Sequence, residues 1–176
     1  KGLIYKDKRL VNWDTKLQTA ISDLEVLQKE QVGSLWFIKY KIENSNSFIT
    51  VATTRPETMF GDSAIAIHPH NTKLKKFIGK KAQIPLTDRV IPIIGDEYAD
   101  PKKGSGAVKI TPAHDFNDFD VGKRHNLPMH CIFNKKGIIN SNLANNFKGL
   151  DRFDARKKIV KKLEENGELE KIAKNK

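Results

Sequence analysis

The most regular pattern along the chain is an alternation of apolar and polar side chains that predicts a β-hairpin. Every second residue from Trp36 to Ile42 is large and either aliphatic or aromatic, which is the two-residue period of a half-buried strand. A turn cluster of asparagine and serine at 44–47 separates this strand from a second β-rich run. The two runs, 35–42 and 48–54, are therefore predicted to pair.

Shorter apolar runs predict a curved sheet around this hairpin. Strands are expected at 63–67, 82–86, 89–94 and 107–111, with one or two helical turns at 71–77. A proline interrupts each of the two middle runs, and a proline within a strand favours a sheet edge or a bulge. A barrel-like sheet is therefore expected in place of a flat one.

The clearest helical pattern covers residues 151–166, and Gly167 supplies a natural stop. Its predicted buried stripe consists of Phe153, Ile159, Val160 and Leu163. Many short strands with few helices indicate an α+β fold, in which a β-barrel-like core of short, mostly antiparallel strands carries a few peripheral helices. Strands do not alternate regularly with long helices, which argues against a doubly wound parallel sheet.

Length and polarity divide the chain into a short N-terminal segment and one larger domain. Residues 1–30 have the mixed polar pattern of a connecting segment, and residues 31–176 are numerous enough to bury a core. No apolar run is long enough to span a bilayer, and the charged N-terminal residues contain no signal-peptide core. We therefore expect a cytoplasmic protein with no membrane contact.

Charge favours a polyanionic partner. Lysine and arginine number 32 against 21 aspartate and glutamate residues, which gives a net charge of +11, and neutralising phosphates releases counterions. Part of this excess lies in the predicted C-terminal helix, where lysines usually form a solvated face. The single cysteine, Cys131, cannot form an internal disulfide, and its apolar neighbours predict a small buried side chain.

A first polar cluster follows the second strand of the hairpin. It consists of Thr53, Thr54, Arg55, Pro56, Glu57 and Thr58. The guanidinium and the hydroxyls suit a ligand with phosphate, carboxylate or ribose groups. The same residues fit equally well a polar turn in which threonines cap the following backbone, so the cluster alone leaves both interpretations open.

A second polar cluster lies where the strand at 107–111 meets a short predicted helix. Its members are Lys109, Thr111, His114, Asp115 and Asp118. The first two share one side of the strand, and the two aspartates share a helix face because they are three residues apart. Carboxylates at a helix start cap free amides and complement the helix dipole, but they also form a pocket for an ammonium group. His114 suits either a general base or a structural hydrogen-bond donor.

Other chemistry has no pattern to support it. The histidines and Cys131 lack the spacing of metal ligands, so no metal site is predicted. A phosphate-binding loop, a dinucleotide fingerprint and a nucleophile elbow are also missing from the sequence.

Together the two polar clusters resemble one family. The stretches 53–58, 104–115 and 117–125 are similar to the editing domain of the valyl-tRNA synthetases, which is inserted into the catalytic fold of the isoleucyl, leucyl and valyl enzymes. The resemblance extends towards both ends and covers nearly the whole chain. Isoleucyl relatives typically carry a histidine at the position of Lys109, so this lysine favours the valyl branch.

The resemblance implies hydrolytic proofreading. A synthetic pocket shaped for valine rejects an isosteric hydroxyl only weakly, a limit already known for valyl enzymes, so a second site hydrolyses Thr-tRNA(Val). By resemblance, Asp118, aided by Asp115, holds the α-ammonium, and Lys109 with a carboxylate reads the threonine hydroxyl. Thr58 helps to position the carbonyl and the attacking water. The residues that bind the tRNA end are Arg55, Thr53, Thr54, Glu57, Thr111 and His114.

The same resemblance implies the partners. They are the acceptor end of tRNA(Val) carrying threonine and the remainder of the parent synthetase, and we expect a monomer. The His-Ile-Gly-His and Lys-Met-Ser-Lys-Ser signatures of the synthetic site are missing from the sequence, so ATP belongs to that other domain and editing needs no cofactor. Two alternatives remain: an isoleucyl-type editing domain acting on Val-tRNA(Ile), and a non-catalytic tRNA-binding module.

Overall fold

The structure is a computed structural model that describes residues 3–4, 6–27, 29–30 and 32–175. Strands dominate this part of the chain. The strands are β1 Asn12–Asp14, β2 Thr19–Ile21, β3 Gly33–Ile42, β4 Phe48–Thr53, β5 Ala64–Ile67, β6 Lys81–Gln83, β7 Val90–Gly95, β8 Ala107–Ile110 and β9 Leu169–Asn175. The helices are α1 Phe116–Arg124 and α2 Arg152–Glu165, with short 3-10 turns between elements. Within these described residues, neither helix is long and apolar enough to cross a membrane.

The long strand β3 organises the main sheet. One edge pairs with β4, and the other pairs with β9 along its first half and with β6 at its end. The strand order is β4-β3-β6-β7-β5-β8, with β9 added beside β3. All of these pairs are antiparallel except β5 with β7. Because β4 and β8 also come close to each other, the sheet is nearly closed, which confirms the predicted barrel-like α+β fold.

Side-chain alternation in β5 separates two apolar layers. Ile38 and Ile65 point into the barrel interior, where half of the buried core residues are isoleucines. On the other face of β5 and β8, Ala64 and Ile110 pack against Val121 of α1. The short alanine side chains let this helix lie close to the sheet, which places its first turn beside the end of β8.

Gly122 shows how close this approach is. A Cβ atom at this position would lie 2.8 Å from the Cβ of Pro112, which is nearer than two carbon atoms pack. The glycine therefore allows α1 to seat against the residues that follow β8, and those residues carry the second polar cluster.

The N-terminal segment and the C-terminal strand differ in detail from the sequence predictions. Within the predicted connecting segment 1–30, β1 and β2 form a small antiparallel ribbon that pairs only with itself among the described residues. The strand β9 was not predicted, because three of its seven side chains are charged and four are exposed, so it shows no apolar run. The strand β6 ends at Gln83, before the predicted residue 86, since Leu86 adopts a positive φ of 61° in a turn.

Two predicted buried side chains are exposed. The buried face of α2 consists of Ala155, Ile159 and Leu163, at the four-residue spacing of one helix face. Phe153 lies off this face and is 51% exposed, with its ring 4.6 Å from the guanidinium carbon of Arg152. The prediction of a buried Cys131 is also wrong: the thiol is exposed, because the neighbouring Ile132 takes the buried position.

Candidate active site

A cavity of about 200 Å³ opens where β4 ends, β8 ends and α1 begins. Its lining consists of Leu35, Ala52, Thr53, Thr54, Arg55, Thr58, Tyr98, Val108, Lys109, Thr111, His114, Asp115 and Asp118. The two polar clusters therefore meet in one place, although about fifty residues separate them in the sequence. Every predicted site residue lines this cavity except Glu57.

The ammonium of Lys109 is buried in the wall of the cavity. Its Nζ donates to Thr58 Oγ1 at 2.8 Å, to Asp62 Oδ1 at 3.0 Å and to Thr111 Oγ1. An ammonium has three N–H donors, so these contacts occupy all of them. A substrate oxygen can bind Lys109 only by taking the place of one of these acceptors.

Asp62 is the partner that sequence reasoning missed. Its Oδ1 also accepts from the Thr111 hydroxyl at 2.6 Å, and its Oδ2 accepts from the Tyr40 hydroxyl at 2.7 Å. Burial raises the pKa of Asp62, and the Lys109 charge together with these hydrogen bonds offsets part of that rise. The sequence did offer one signal for Asp62: its carboxylate lies two residues before the wholly apolar strand β5. A charge among buried residues requires a partner, so a buried cation could have been expected nearby.

The Thr58 hydroxyl is fixed by two contacts. It donates to the Arg55 carbonyl at 2.9 Å while it accepts from Lys109. A hydroxyl has one donor and two acceptor positions, so one acceptor position is left for a further hydrogen bond. Arg89 supports this turn from outside the cavity, because it donates to the Phe60 carbonyl at 2.5 Å and to the Asp62 carbonyl at 3.0 Å.

The two aspartates of α1 hold different positions. Asp115 is the N-cap: its Oδ1 accepts from the backbone N–H groups of Asn117 at 2.9 Å and Asp118 at 3.1 Å, as the capping interpretation predicted. Asp118 lies one turn further on, and its Oδ2 accepts from the Thr111 N–H at 2.8 Å. Both side chains line the cavity, so capping and ligand binding remain compatible for Asp115.

Burial shifts the protonation of Asp118. Desolvation raises the pKa of its carboxyl to about 6, although the Lys109 charge and the Thr111 hydrogen bond oppose the shift. The carboxylates of Asp115 and Asp62 add smaller upward contributions. At neutral pH Asp118 is therefore mostly ionised, and the proximity of like charges favours the binding of a cation.

His114 and Arg55 join the two clusters. Arg55 Nη1 donates to the His114 carbonyl at 2.6 Å, and His114 Nε2 accepts from the Ile132 N–H at 3.0 Å. Burial, followed by the charges of Arg55 and Lys109, lowers the pKa of His114 to about 4. The ring is therefore neutral, and its Nε2 already accepts a hydrogen bond from the backbone. This contact disfavours a general-base role for Nε2 and leaves the structural interpretation of His114 open.

Glu57 is buried and does not line the cavity. Its carboxylate is 1% exposed and accepts from Arg156 Nε and Nη2, each at 2.7 Å. Such a bidentate pair has a fixed geometry, and it joins the turn that carries Thr58 to helix α2. Glu57 therefore supports the turn that carries Thr58, and it does not lie where the predicted contact with a ligand would place it.

Tyr98 is a further wall residue that the sequence did not indicate. Burial, followed by the negative charges of Asp118 and Asp115, raises the pKa of its phenol to about 12, so it stays protonated and able to donate. Its backbone N–H donates to Asp96 Oδ1 at 2.9 Å. Asp96 also accepts from Arg124 Nη2 at 2.9 Å, which anchors the far end of α1.

Metal chemistry has no support within the described part of the chain. There, no group of three or more histidine, cysteine, aspartate or glutamate side chains could hold a metal ion. The cation of Lys109 is instead paired with the buried carboxylate of Asp62.

Comparisons with known proteins agree with one another. Residues 1–169 match the family model of tRNA synthetases class I (I, L, M and V). The chain is 55% identical to the valine--tRNA ligase of Nitrobacter winogradskyi, over 97% of this chain and 20% of that protein. It is 57% identical to the enzyme of the same name from Legionella pneumophila strain Paris, over 97% of this chain and 19% of that protein. For the Pelagibacter ubique enzyme the identity is 58%, over 94% and 19%.

A solved structure shows the same fold. It is the ternary complex of Agrobacterium radiobacter K84 agnB2 LeuRS with tRNA and LeuAMS, which superposes with a TM-score of 0.63 and 24% identity over 82% of this chain and 20% of that one. The chain spans about a fifth of the length of the curated relatives it matches. On the match of the family model to nearly its whole length, the chain belongs to the class I tRNA synthetases of the I, L, M and V group.

Proposed function

We propose that the cavity is an editing site that hydrolyses the ester between threonine and tRNA(Val). The observation that carries this proposal is the buried Lys109–Asp62 pair, whose lysine lines the same cavity as Asp118. A polar site of this kind discriminates by a hydroxyl, because a ligand without it leaves a buried polar group unpaired. The valine--tRNA ligase relatives favour this substrate over the isoleucyl alternative.

The α-ammonium of the threonyl group binds Asp118, with Asp115 beside it. Asp118 is only 5% exposed, and charge-assisted hydrogen bonds in such a position are stronger than neutral ones. A bound ammonium also favours the ionised carboxylate and so lowers the pKa of Asp118 from its raised value. The substrate thereby stabilises the form of the site that binds it.

The threonine hydroxyl is recognised by exchange at Lys109. All three N–H donors of this ammonium are in use. An incoming hydroxyl therefore replaces one of the present acceptors, and every N–H of Lys109 still has an acceptor. The methyl group of valine cannot accept a hydrogen bond. Valine in the same position would therefore leave one donor of a buried charge unpaired.

Arg55 and the neighbouring threonines bind the terminal nucleotide. The Arg55 side chain is 43% exposed and points from the cavity wall, where its charge can reach a phosphate or a ribose hydroxyl. Thr53 and Thr54 lie in the same wall. This arrangement orients the ester with its amino acid inwards and its nucleotide at the mouth.

Hydrolysis then needs no covalent enzyme intermediate. Water, held by the remaining acceptor position of Thr58, adds through its oxygen to the ester carbonyl carbon. The bond from that carbon to the ribose oxygen breaks, and the proton of the water passes to the leaving ribose oxygen, with the adjacent ribose hydroxyl as a relay. The Lys109 charge stabilises the negative charge that develops on the carbonyl oxygen, and the cavity contributes by holding the groups in position.

The wider context is part of the same proposal. Residues 31–176 form the editing unit, and residues 1–30 connect it to the synthetic domain of a longer cytoplasmic enzyme. The unit acts as a monomer on the acceptor end of the tRNA, and water is the only co-reactant.

Ester loss from three charged tRNAs tests the substrate. The chain is incubated with Thr-tRNA(Val), Val-tRNA(Val) and Val-tRNA(Ile), and each ester is followed against a sample without protein. We expect faster loss of Thr-tRNA(Val) than of either valyl ester. Preferential loss of Val-tRNA(Ile) would support the isoleucyl alternative, and binding without any ester loss would support a non-catalytic tRNA-binding module.

A further inference from the structure

The side chain of Tyr98 lines the same cavity as the carboxylates of Asp115 and Asp118. Its phenol interacts with the side chains of Asn117 and Asp118, and the negative charges of both aspartates raise its pKa. The side chain is 37% exposed, so the protein does not enclose it. The phenol oxygen is therefore close to the two carboxylates that the proposed function assigns to the α-ammonium of the substrate.

The buried carboxylate of Asp96 fixes Tyr98 relative to helix α1. Its Oδ1 accepts from the Tyr98 backbone N–H at 2.9 Å and from Arg124 Nη2 at 2.9 Å. Its Oδ2 lies 2.8 Å from Nε2 of His125, which ends the helix. The turn that carries Tyr98 and the helix that carries Asp118 are thus fastened to one side chain. A preformed arrangement of this kind binds a ligand without the cost of ordering its parts.

The two aspartates of the cavity each use one carboxylate oxygen to hold the backbone. Asp118 Oδ2 accepts from the Thr111 N–H, and Asp115 Oδ1 accepts from two backbone N–H groups at the start of α1. The second oxygen of each carboxylate can therefore turn to a ligand. An ammonium has three N–H donors, so the two carboxylates supply two of the three acceptors that it needs.

A neutral third acceptor suits this site better than a third carboxylate. The pKa of Asp118 is already raised to about 6, and a further negative charge beside it would raise that pKa again. The pKa of Tyr98 is raised to about 12, so its phenol stays neutral at physiological pH. A phenol can donate to a carboxylate and accept from an ammonium at the same time.

We propose that Tyr98 is the third acceptor for the α-ammonium of the threonyl group, beside Asp115 and Asp118. The identity of the ligand rests on the proposed function. The three side chains together make the cavity selective for a ligand with an unblocked amine. A ligand that lacks the amine gains nothing from the phenol oxygen of Tyr98.

Binding of two matched ligands tests the contact without hydrolysis. Both are adenosine derivatives with an amide in place of the ester at the ribose. One carries the L-threonyl group, and the other carries the 3-hydroxybutanoyl group, which has a hydrogen in place of the ammonium. Tyr98→Phe removes only the phenol oxygen. Isothermal titration calorimetry should show about tenfold weaker binding of the threonyl amide, as expected for a hydrogen bond to a charged group, and unchanged binding of the 3-hydroxybutanoyl amide.

Glu97→Gln, at the preceding position, is the matched control. Glu97 is exposed and does not line the cavity, so this variant should bind both ligands like the parent chain. Denaturant unfolding verifies that Tyr98→Phe is folded. Equal losses for the two ligands in Tyr98→Phe would indicate a general change in the cavity and would overturn the proposal. Parental binding of the threonyl amide by Tyr98→Phe would overturn it as well.

The outcomes separate this proposal from the proposed function. A loss confined to the threonyl amide supports the role of Tyr98 even if the parent chain hydrolyses no ester. Conversely, if the parent chain hydrolyses Thr-tRNA(Val) and Tyr98→Phe binds the threonyl amide like the parent, the editing site stands and the role of Tyr98 fails. Equal affinity of the parent chain for the two ligands would overturn the ammonium site itself.

Discussion

Lys109 Nζ lies 3.0 Å from Asp62 Oδ1, and both side chains are buried. The pair explains how a lysine can occupy a strand position whose neighbours in the barrel interior are apolar. Removing one member of such a pair leaves the other charge without compensation in a poorly solvated place. Structure and proposed chemistry therefore depend on the same contact.

Asp62→Asn should lower the free energy of unfolding by about 3 kcal/mol, because it removes the countercharge of a buried ammonium while keeping the shape of the side chain. Denaturant unfolding measures the change. Asp120→Asn, at an exposed position of α1, is the control and should alter stability by less than about 0.5 kcal/mol. Equal effects of the two substitutions would show that the Lys109–Asp62 pair does not stabilise the fold.

The pKa of Asp118 predicts an acid limb in the activity. With a value of about 6, the carboxylate that we propose binds the substrate ammonium is lost as the pH falls through 6. The kcat/KM for Thr-tRNA(Val) should therefore drop about tenfold for each unit below that pH. His114, with a pKa of about 4, stays neutral and contributes nothing in this range. A profile that is flat from pH 7 to pH 5, corrected for spontaneous hydrolysis, would contradict the role of Asp118.

Two substitutions of Asp115 separate its role as a helix cap from the effect of its negative charge on the cavity. Asparagine caps a helix about as well as aspartate, so Asp115→Asn should leave stability nearly unchanged while it removes a negative charge from the cavity. Asp115→Ala should lower the free energy of unfolding by about 1 kcal/mol because it removes the cap. If Asp115 helps to bind the ammonium, KM for Thr-tRNA(Val) rises in both variants, whereas a purely structural Asp115 gives a normal KM in Asp115→Asn.

The pair between Glu57 and Arg156 gives a test far from the substrate. Arg156→Ala leaves the buried Glu57 carboxylate without its bidentate partner and should lower the free energy of unfolding by about 2 kcal/mol. Lys157→Ala, which removes an exposed partner of Asp154, should have almost no effect. Arg156 only supports the turn that carries Thr58. The Arg156 variant should therefore show a large fall in kcat for hydrolysis and a smaller change in KM.

The sequence could predict most of the cavity wall because the wall comes from two contiguous stretches. Thr53 to Thr58 follow one strand, and Lys109 to Asp118 follow another, so each group is visible as a local cluster. Asp62, Tyr40 and Tyr98 belong to neither cluster. They reach the site only through the pairing and packing of strands, which no local pattern specifies.

The orientation of individual side chains was the least predictable feature. Glu57 stands between Arg55 and Thr58 in the sequence, yet it points to Arg156 because a 3-10 turn directs neighbouring side chains to different sides. Phe153 fits an apolar helix stripe by composition, but the stripe that packs begins at Ala155. In both cases tertiary packing decided what spacing alone left open.

Deacylation of Thr-tRNA(Val) by Asp118→Ala is the most direct test of the editing account. Asp120→Ala, two residues away on the same helix and exposed, is the matched control, and circular dichroism confirms that both variants are folded. The account predicts that Asp118→Ala loses at least about a hundredfold in kcat/KM, as expected for a charge-assisted contact to the substrate ammonium, while Asp120→Ala retains the parent rate. Near-parental hydrolysis by folded Asp118→Ala would contradict it.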